Sequence, residues 1–193
     1  EVLLTQQMEN GATRLRLGIT ENDESLAAWP RNFALALEVT VGRQLDVSLI
    51  TINTEESDLI LTQALHTYFA VDDIDQVRID GLDGIDYLDK TLDFAQLRQN
   101  GPISISREVD RIYQGVSSDI TLADGSRHIR IAAERATTAV VWNPWVEQSR
   151  AMGDFGEEEY LGMVCVETTN AADDAVTLAP GASHRLASHY GIV

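Results

Sequence analysis

The chain has 193 residues, enough for one domain with a full hydrophobic core, and 44% hydrophobic with 23% charged residues is an ordinary globular composition. With 14 Lys+Arg against 31 Asp+Glu the formal charge is −17, a field that repels nucleic-acid backbones and anionic membranes and so argues against both as partners. The single cysteine, Cys165, excludes an internal disulfide framework and any multi-cysteine zinc site; it fits a reducing compartment, so a cytoplasmic location is expected.

In chain order, the first run to alternate is Ala12 to Thr20, as though a sheet were already under way near the start. A sandwich that opens mid-sheet leaves an edge that proteins normally cover. Phe33, Leu35, Leu37, Val39 and Val41 then alternate with Ala34, Ala36, Glu38 and Thr40, one face apolar and one mixed, which is a strand. Val41-Gly42-Arg43 punctuates it, and Leu45, Val47 and Leu49 open a second alternation, so the pair reads as an antiparallel hairpin. Short strand-like runs follow over Leu59 to Val71, Val77 to Leu82, Ile103 to Tyr113, Asp119 to Leu122 and His128 to Ala133. Ala139 to Trp142, Met163 to Thr168 and His184 to Ile192 complete the set. Asp80-Gly81, Asp83-Gly84, Asn100-Gly101-Pro102, Ala123-Asp124-Gly125 and Pro180-Gly181 supply the turns. Pro144 to Met152 reads as a short helix, and Leu92 to Gln99 is ambiguous. Many short strands with close turns predict one all-β domain over residues 1–193, a sandwich or barrel. No apolar run approaches the ~20 residues that a membrane helix needs.

Four places carry side chains suited to chemistry. In Leu59 to Val71 the core parity belongs to Leu59, Leu61, Leu65, Phe69 and Val71; His66 falls on the other parity with Thr62, Ala64, Tyr68 and Ala70. That second face is small and polar, as a sugar-binding surface requires, although a solvent-facing sheet histidine is the commoner reading of such a pattern. Glu167 ends the very apolar Met163-Val164-Cys165-Val166, where a buried carboxylate would have a raised pKa useful to a general base. Read alone, the window slightly favours a strand that has simply reached the surface there, followed as it is by polar Thr168-Thr169-Asn170. Asp110, within Arg107 to Tyr113, leaves the apolar face of Ile103, Ile105 and Val109, and alternating charges of this kind usually form cross-strand pairs. Trp142 and Trp145 flank Asn143-Pro144, and two aromatics around a turn are read as core packing. The chain has no Walker-type phosphate loop, no GxSxG elbow and no HExxH motif.

Taken in order, Ala64-Leu65-His66-Thr67-Tyr68-Phe69, Gly81-Leu82, Tyr87-Leu88-Asp89-Lys90 and Glu108-Val109-Asp110-Arg111-Ile112-Tyr113 form a recognisable series. Val140-Val141-Trp142-Asn143-Pro144-Trp145, Met163-Val164-Cys165-Val166-Glu167 and Pro180-Gly181 extend it. The series resembles the glucose-6-phosphate 1-epimerases (hexose-6-phosphate mutarotases) of the aldose 1-epimerase superfamily, from about Trp29 to the C-terminus. The resemblance implies a galactose mutarotase-like β-supersandwich, and no metal or organic cofactor. It implies Glu167 as the base that takes the anomeric hydroxyl proton, His66 as the acid that protonates the ring oxygen, and Asp110 as a holder of sugar hydroxyls. The substrate implied is a small sugar phosphate, and a monomer is expected. Acid and base are expected on opposite sides of the C1–O5 bond. Family members begin with further strands bearing a His-Gly-x-x-Arg-like motif whose arginine helps grip the phosphate. No segment here matches it, so the expectation is a fold incomplete at its N-terminal side, a piece of a longer protein.

Overall fold

The structure is a computed structural model that describes residues 1–193. Its first strands are β1 (Val2–Gln7), β2 (Thr13–Thr20), β3 (Phe33–Val41), β4 (Leu45–Asn53), β5 (Leu59–Leu61), β6 (Gln63–Leu65) and β7 (Tyr68–Ala70). Then come β8 (Arg78–Asp80), β9 (Asp86–Asp89), β10 (Ala95–Arg98), β11 (Val109–Gln114), β12 (Ile120–Asp124) and β13 (Arg127–Glu134). The chain ends with β14 (Thr138–Asn143), β15 (Met163–Asn170), β16 (Val176–Leu178) and β17 (Ser183–Ile192). Helices are confined to two short pieces, α1 (Asp23–Ala28) and α2 (Trp145–Ala151), plus single 3₁₀ turns. No helix is long and apolar enough to cross a membrane.

Two sheets face each other. The first runs β1-β2-β3-β4-β17-β13-β12-β8; the second runs β10-β9-β11-β14-β15-β6, with β7 also paired to β15. A separate two-stranded sheet joins β5 to β16. The hairpin read from alternation is present, with Phe33 opposite Asn53 and Val41 opposite Leu45. Between the sheets, 21 buried residues form one core, including Ile79, Leu82, Ile103, Tyr113, Leu122, Val141, Val164 and Val166. On β15 the even-numbered Val164 and Val166 point into that core, so period two sends Cys165 and Glu167 to the opposite, outer face.

The structure departs from the expected elements in several places. Leu59 to Val71 is not one strand, because it changes partners: β5 joins β16, whereas β6 and β7 join β15. Ile103 to Tyr113 is a strand only from Val109; Ile103 and Ile105 are buried plugs, and Ile103 forms an isolated bridge with Ile79. Their spacing imitates alternation without a ladder. The ambiguous Leu92 to Gln99 resolves into strand β10. Helix α1 has no apolar face, since none of its residues is buried; a capping box between Asn22 and Ser25 starts it.

Candidate active site

The outer face of the second sheet gathers the candidates through strand register. Trp142 stands opposite Asp110 on one side and Cys165 on the other, and Cys165 stands opposite Tyr68. One row across four strands is therefore Asp110, Trp142, Cys165, Tyr68. In the next row Ile112 faces Val140, and Val140 faces Glu167. Strands β6 and β7 keep one continuous register on β15: Gln63 pairs with Asn170, Leu65 with Thr168, Tyr68 with Cys165 and Ala70 with Met163. The two residues between them, His66 and Thr67, leave the ladder, and His66 occupies the place opposite Glu167. Its Nε2 lies 3.3 Å from Glu167 Oε1. His66 and Glu167, 101 positions apart in the chain, thus meet because one interrupted strand runs along the other.

The two partners sit at different depths. The His66 side chain is 48% exposed, whereas that of Glu167 is 6% exposed. Burial pushes the Glu167 carboxyl up to about 7, helped by the negative charge of Asp110 and opposed by Lys90. Lys90 Nζ is 2.6 Å from Asp110 Oδ2, so the only lysine of the chain neutralises the second acid of the site. The other oxygen, Asp110 Oδ1, is buried and has no hydrogen-bond partner. An unmatched acceptor at this depth suits a hydroxyl donor from a bound molecule.

Aromatic rings wall one side. Tyr68 stacks on His66 with centroids 4.8 Å apart and 23° between planes. Trp142 meets His66 edge-on at 5.9 Å and Tyr68 at 6.0 Å, and Phe155 closes on Trp142 at 6.4 Å. Trp142 therefore belongs to the site, against the core-packing expectation; only its neighbour Trp145 packs on the core. Asn143 explains the turn between them, accepting from the Trp145 backbone N–H at 2.9 Å and donating to the Tyr160 and Met163 carbonyls. No three His, Cys, Asp or Glu side chains converge closely enough to hold a metal ion. A buried carboxylate near neutrality, an imidazole in contact with it and an unpaired acceptor are equipment for proton transfer on a polyol.

A family model described as aldose 1-epimerase matches residues 4–191. The chain belongs to the aldose 1-epimerase family. It is 38% identical over 170 residues to a protein of Cenchrus ciliaris, covering 84% of this chain and 51% of that protein. It is 31% identical over 162 residues to a protein of Escherichia coli K12, covering 82% and 53%. Both carry the name "Putative glucose-6-phosphate 1-epimerase". The chain thus spans about half the length of the curated relatives it matches. Among solved structures it superposes on a "putative mutarotase" of Salmonella typhimurium with TM-score 0.89 at 26% identity, covering all of this chain and 64% of that one. A galactose mutarotase-like protein of Lactobacillus casei, at 13% identity, gives TM-score 0.74 and shares the fold. The galactose mutarotase-like sandwich expected from the sequence is the fold observed.

The candidate residues His66, Glu167 and Asp110 share one face of the second sheet. Tyr68 stands beside His66 on the face that its parity gave it, whereas Lys90, Trp142 and Phe155 escaped the sequence reading as site residues. Lys90 gave one signal, being the only lysine in a chain with 13 arginines. Phe155 gave none, since it lies in the loop beyond α2 and reaches the site only through Trp142.

Proposed function

We propose that this chain carries the acid–base pair of a hexose mutarotase, with a hexose 6-phosphate as substrate. Glu167 takes the proton of the anomeric hydroxyl, and His66 gives a proton to the ring oxygen O5. The C1–O5 bond breaks, the aldehyde turns its other face, and the reverse transfers close the ring as the other anomer. No atom is gained or lost. The observation that supports this best is the 3.3 Å contact between an exposed imidazole and a buried carboxyl whose pKa is raised to about 7. Protonating Glu167 removes an unfavourable buried charge, so burial makes it a stronger base than a surface carboxylate. The two groups lie side by side rather than across the bond. O1 and O5 are both bonded to C1, so an adjacent pair can serve both. Asp110 Oδ1 would accept a hydroxyl of the same sugar.

The phosphate on the substrate rests on the names that the relatives carry. The geometry favours a second reading at this one point: Lys90, the cation beside Glu167, is already engaged by Asp110. An unphosphorylated aldose is the alternative substrate. Magnetisation-exchange NMR on glucose 6-phosphate and on glucose, with this chain added, separates the two. His66→Asn and Glu167→Gln should each slow interconversion about 10²–10⁴-fold, the usual contribution of a positioned acid or base. A rate no greater than that of buffer with both sugars, alongside measurable sugar binding, would replace the enzyme with a carbohydrate-binding module.

A further inference from the structure

Cys165 is fully buried at the centre of the candidate site, between Trp142 and Tyr68 in the strand register. Its Sγ is 3.8 Å from His66 Nδ1, and no other hydrogen-bonding group meets that nitrogen. Two residues further along the same strand, Glu167 stands 3.3 Å from Nε2. The imidazole therefore lies across two neighbouring side chains of β15, one at each nitrogen, with Tyr68 and Trp142 limiting its rotation. We propose that Cys165 is a positioning residue for His66, its S–H donating to Nδ1 so that the neutral imidazole carries its proton on Nε2.

The argument is one of donors and acceptors. A neutral imidazole has one N–H and one bare nitrogen, and the partner of one nitrogen decides the state of the other. Burial, with the nearby Glu167 charge, pushes the Cys165 thiol up, so it remains an S–H donor and not a thiolate that would draw the proton to Nδ1. The Glu167 carboxylate acts in the same sense from the other end, as an acceptor facing Nε2. The place of this nitrogen in turnover rests on the acid–base reading above: Nε2 lies on the side of Glu167, where O5 must lie, and the proton given to O5 leaves from the ring protonated on both nitrogens, since the neutral ring would be left as an imidazolate. Alanine at 165 keeps a small apolar residue and loses the donor, while serine keeps a donor of similar size.

The test is histidine ¹⁵N NMR on this chain, at a pH where the rings report as neutral. The resonances of His66 among the four histidines are identified by their loss in His66→Asn. The expected wild-type spectrum shows Nε2 protonated and Nδ1 bare, with Nδ1 displaced by an accepted hydrogen bond. Cys165→Ala should move Nδ1 to the position of an unbonded ring nitrogen, and Cys165→Ser should return it. A proton on Nδ1 in the wild type, or an Nδ1 signal indifferent to loss of the thiol, overturns the proposal. Absent turnover in the wild type defeats the mutarotase reading alone, because the spectrum still decides the tautomer.

Discussion

Glu167 sits where folding works against its charge, and that makes its titration readable in stability. Its pKa is about 7 in the folded state against an ordinary 4.5. Below pH 4.5 both folded and unfolded chains hold the proton. Between pH 4.5 and 7 the unfolded chain releases a proton that the folded chain keeps, so stability falls as pH rises. Above pH 7 the whole penalty, on the order of 3 kcal/mol, is present. Glu167→Gln should therefore stabilise the chain by about 1–3 kcal/mol at pH 8 and by little at pH 4, while removing most of the activity. Urea unfolding at the two pH values checks this, and an equal effect at both would refute the buried-charge account. The neighbours of Glu167 set the acid limb of the rate. Lys90→Met removes the cation that holds the Glu167 carboxyl down, so the pH dependence of kcat/KM should shift to higher pH. Asp110→Asn removes the charge that pushes it up and should shift the profile the other way.

Strands β9 and β11 show how a site can be built on an element that also serves the core. Asp89 and Arg111 are direct partners in the ladder and form a buried ion pair at 3.5 Å on the core face. Lys90 and Asp110, one residue on and one residue back, form the exposed-side pair at 2.6 Å on the site face. The two charge pairs thus straddle the sheet and agree on a single register. Arg111 also lies 4.8 Å over the Tyr87 ring and donates to Gln99 Oε1, which the Tyr113 hydroxyl reaches at 2.9 Å. Burial pushes that hydroxyl up to about 12, so it stays a donor. Arg111→Leu leaves Asp89 buried without its cation and should cost about 3–5 kcal/mol. The double change Asp89→Asn with Arg111→Leu should cost less than the single one, a comparison that denaturant unfolding makes directly. What was legible in the sequence follows the same division. Alternation correctly set Phe33 to Val41 against Leu45 onward, put His66 off the core parity and put Asp110 opposite in parity to Val109, because each is a local consequence of period two. It could not show that Arg111, on the core parity, is buried with its charge, since the compensating Asp89 lies on another strand. Nor could it show that the Leu59 to Val71 run breaks at Thr62, because that break follows from a change of partner strand, from β16 to β15. The contact between His66 and Glu167 is a fact of strand register between distant segments, and only the family resemblance pointed to it beforehand.

The whole molecule is a sandwich whose two sheets do not cover each other fully. On the first sheet Leu17, Leu37, Leu49 and Leu186 stand in one row across β2, β3, β4 and β17. Leu186 is fully buried, whereas Leu17, Leu37 and Leu49 are only partly so, and Ile19 on the same face is 50% exposed. The reason lies in where the second sheet stops. Its margin, formed by β6 and the segment leading into β7, reaches β4 and β17, through Gln63 to Thr51 at 2.8 Å and Thr67 to Tyr190 at 2.7 Å. The inward faces of β2 and β3 lie beyond it. A contiguous half-open apolar face drives association, and here it is opposed by a net charge of −17. The repulsion acts over a screening length of roughly 30 Å at 0.01 M salt but roughly 3 Å at 1 M, while the apolar attraction does not weaken with salt. Self-association should therefore increase as sodium chloride is raised from about 0.01 to 1 M, within the range where screening collapses. The double change Leu17→Gln with Leu37→Gln should suppress that increase and reduce binding of an apolar dye, leaving the His66 resonances in place on the far sheet. Sedimentation velocity across the salt series reads the outcome: association that falls with salt, or that persists in the double variant, would mean that charged contacts, not this leucine face, hold the molecules together.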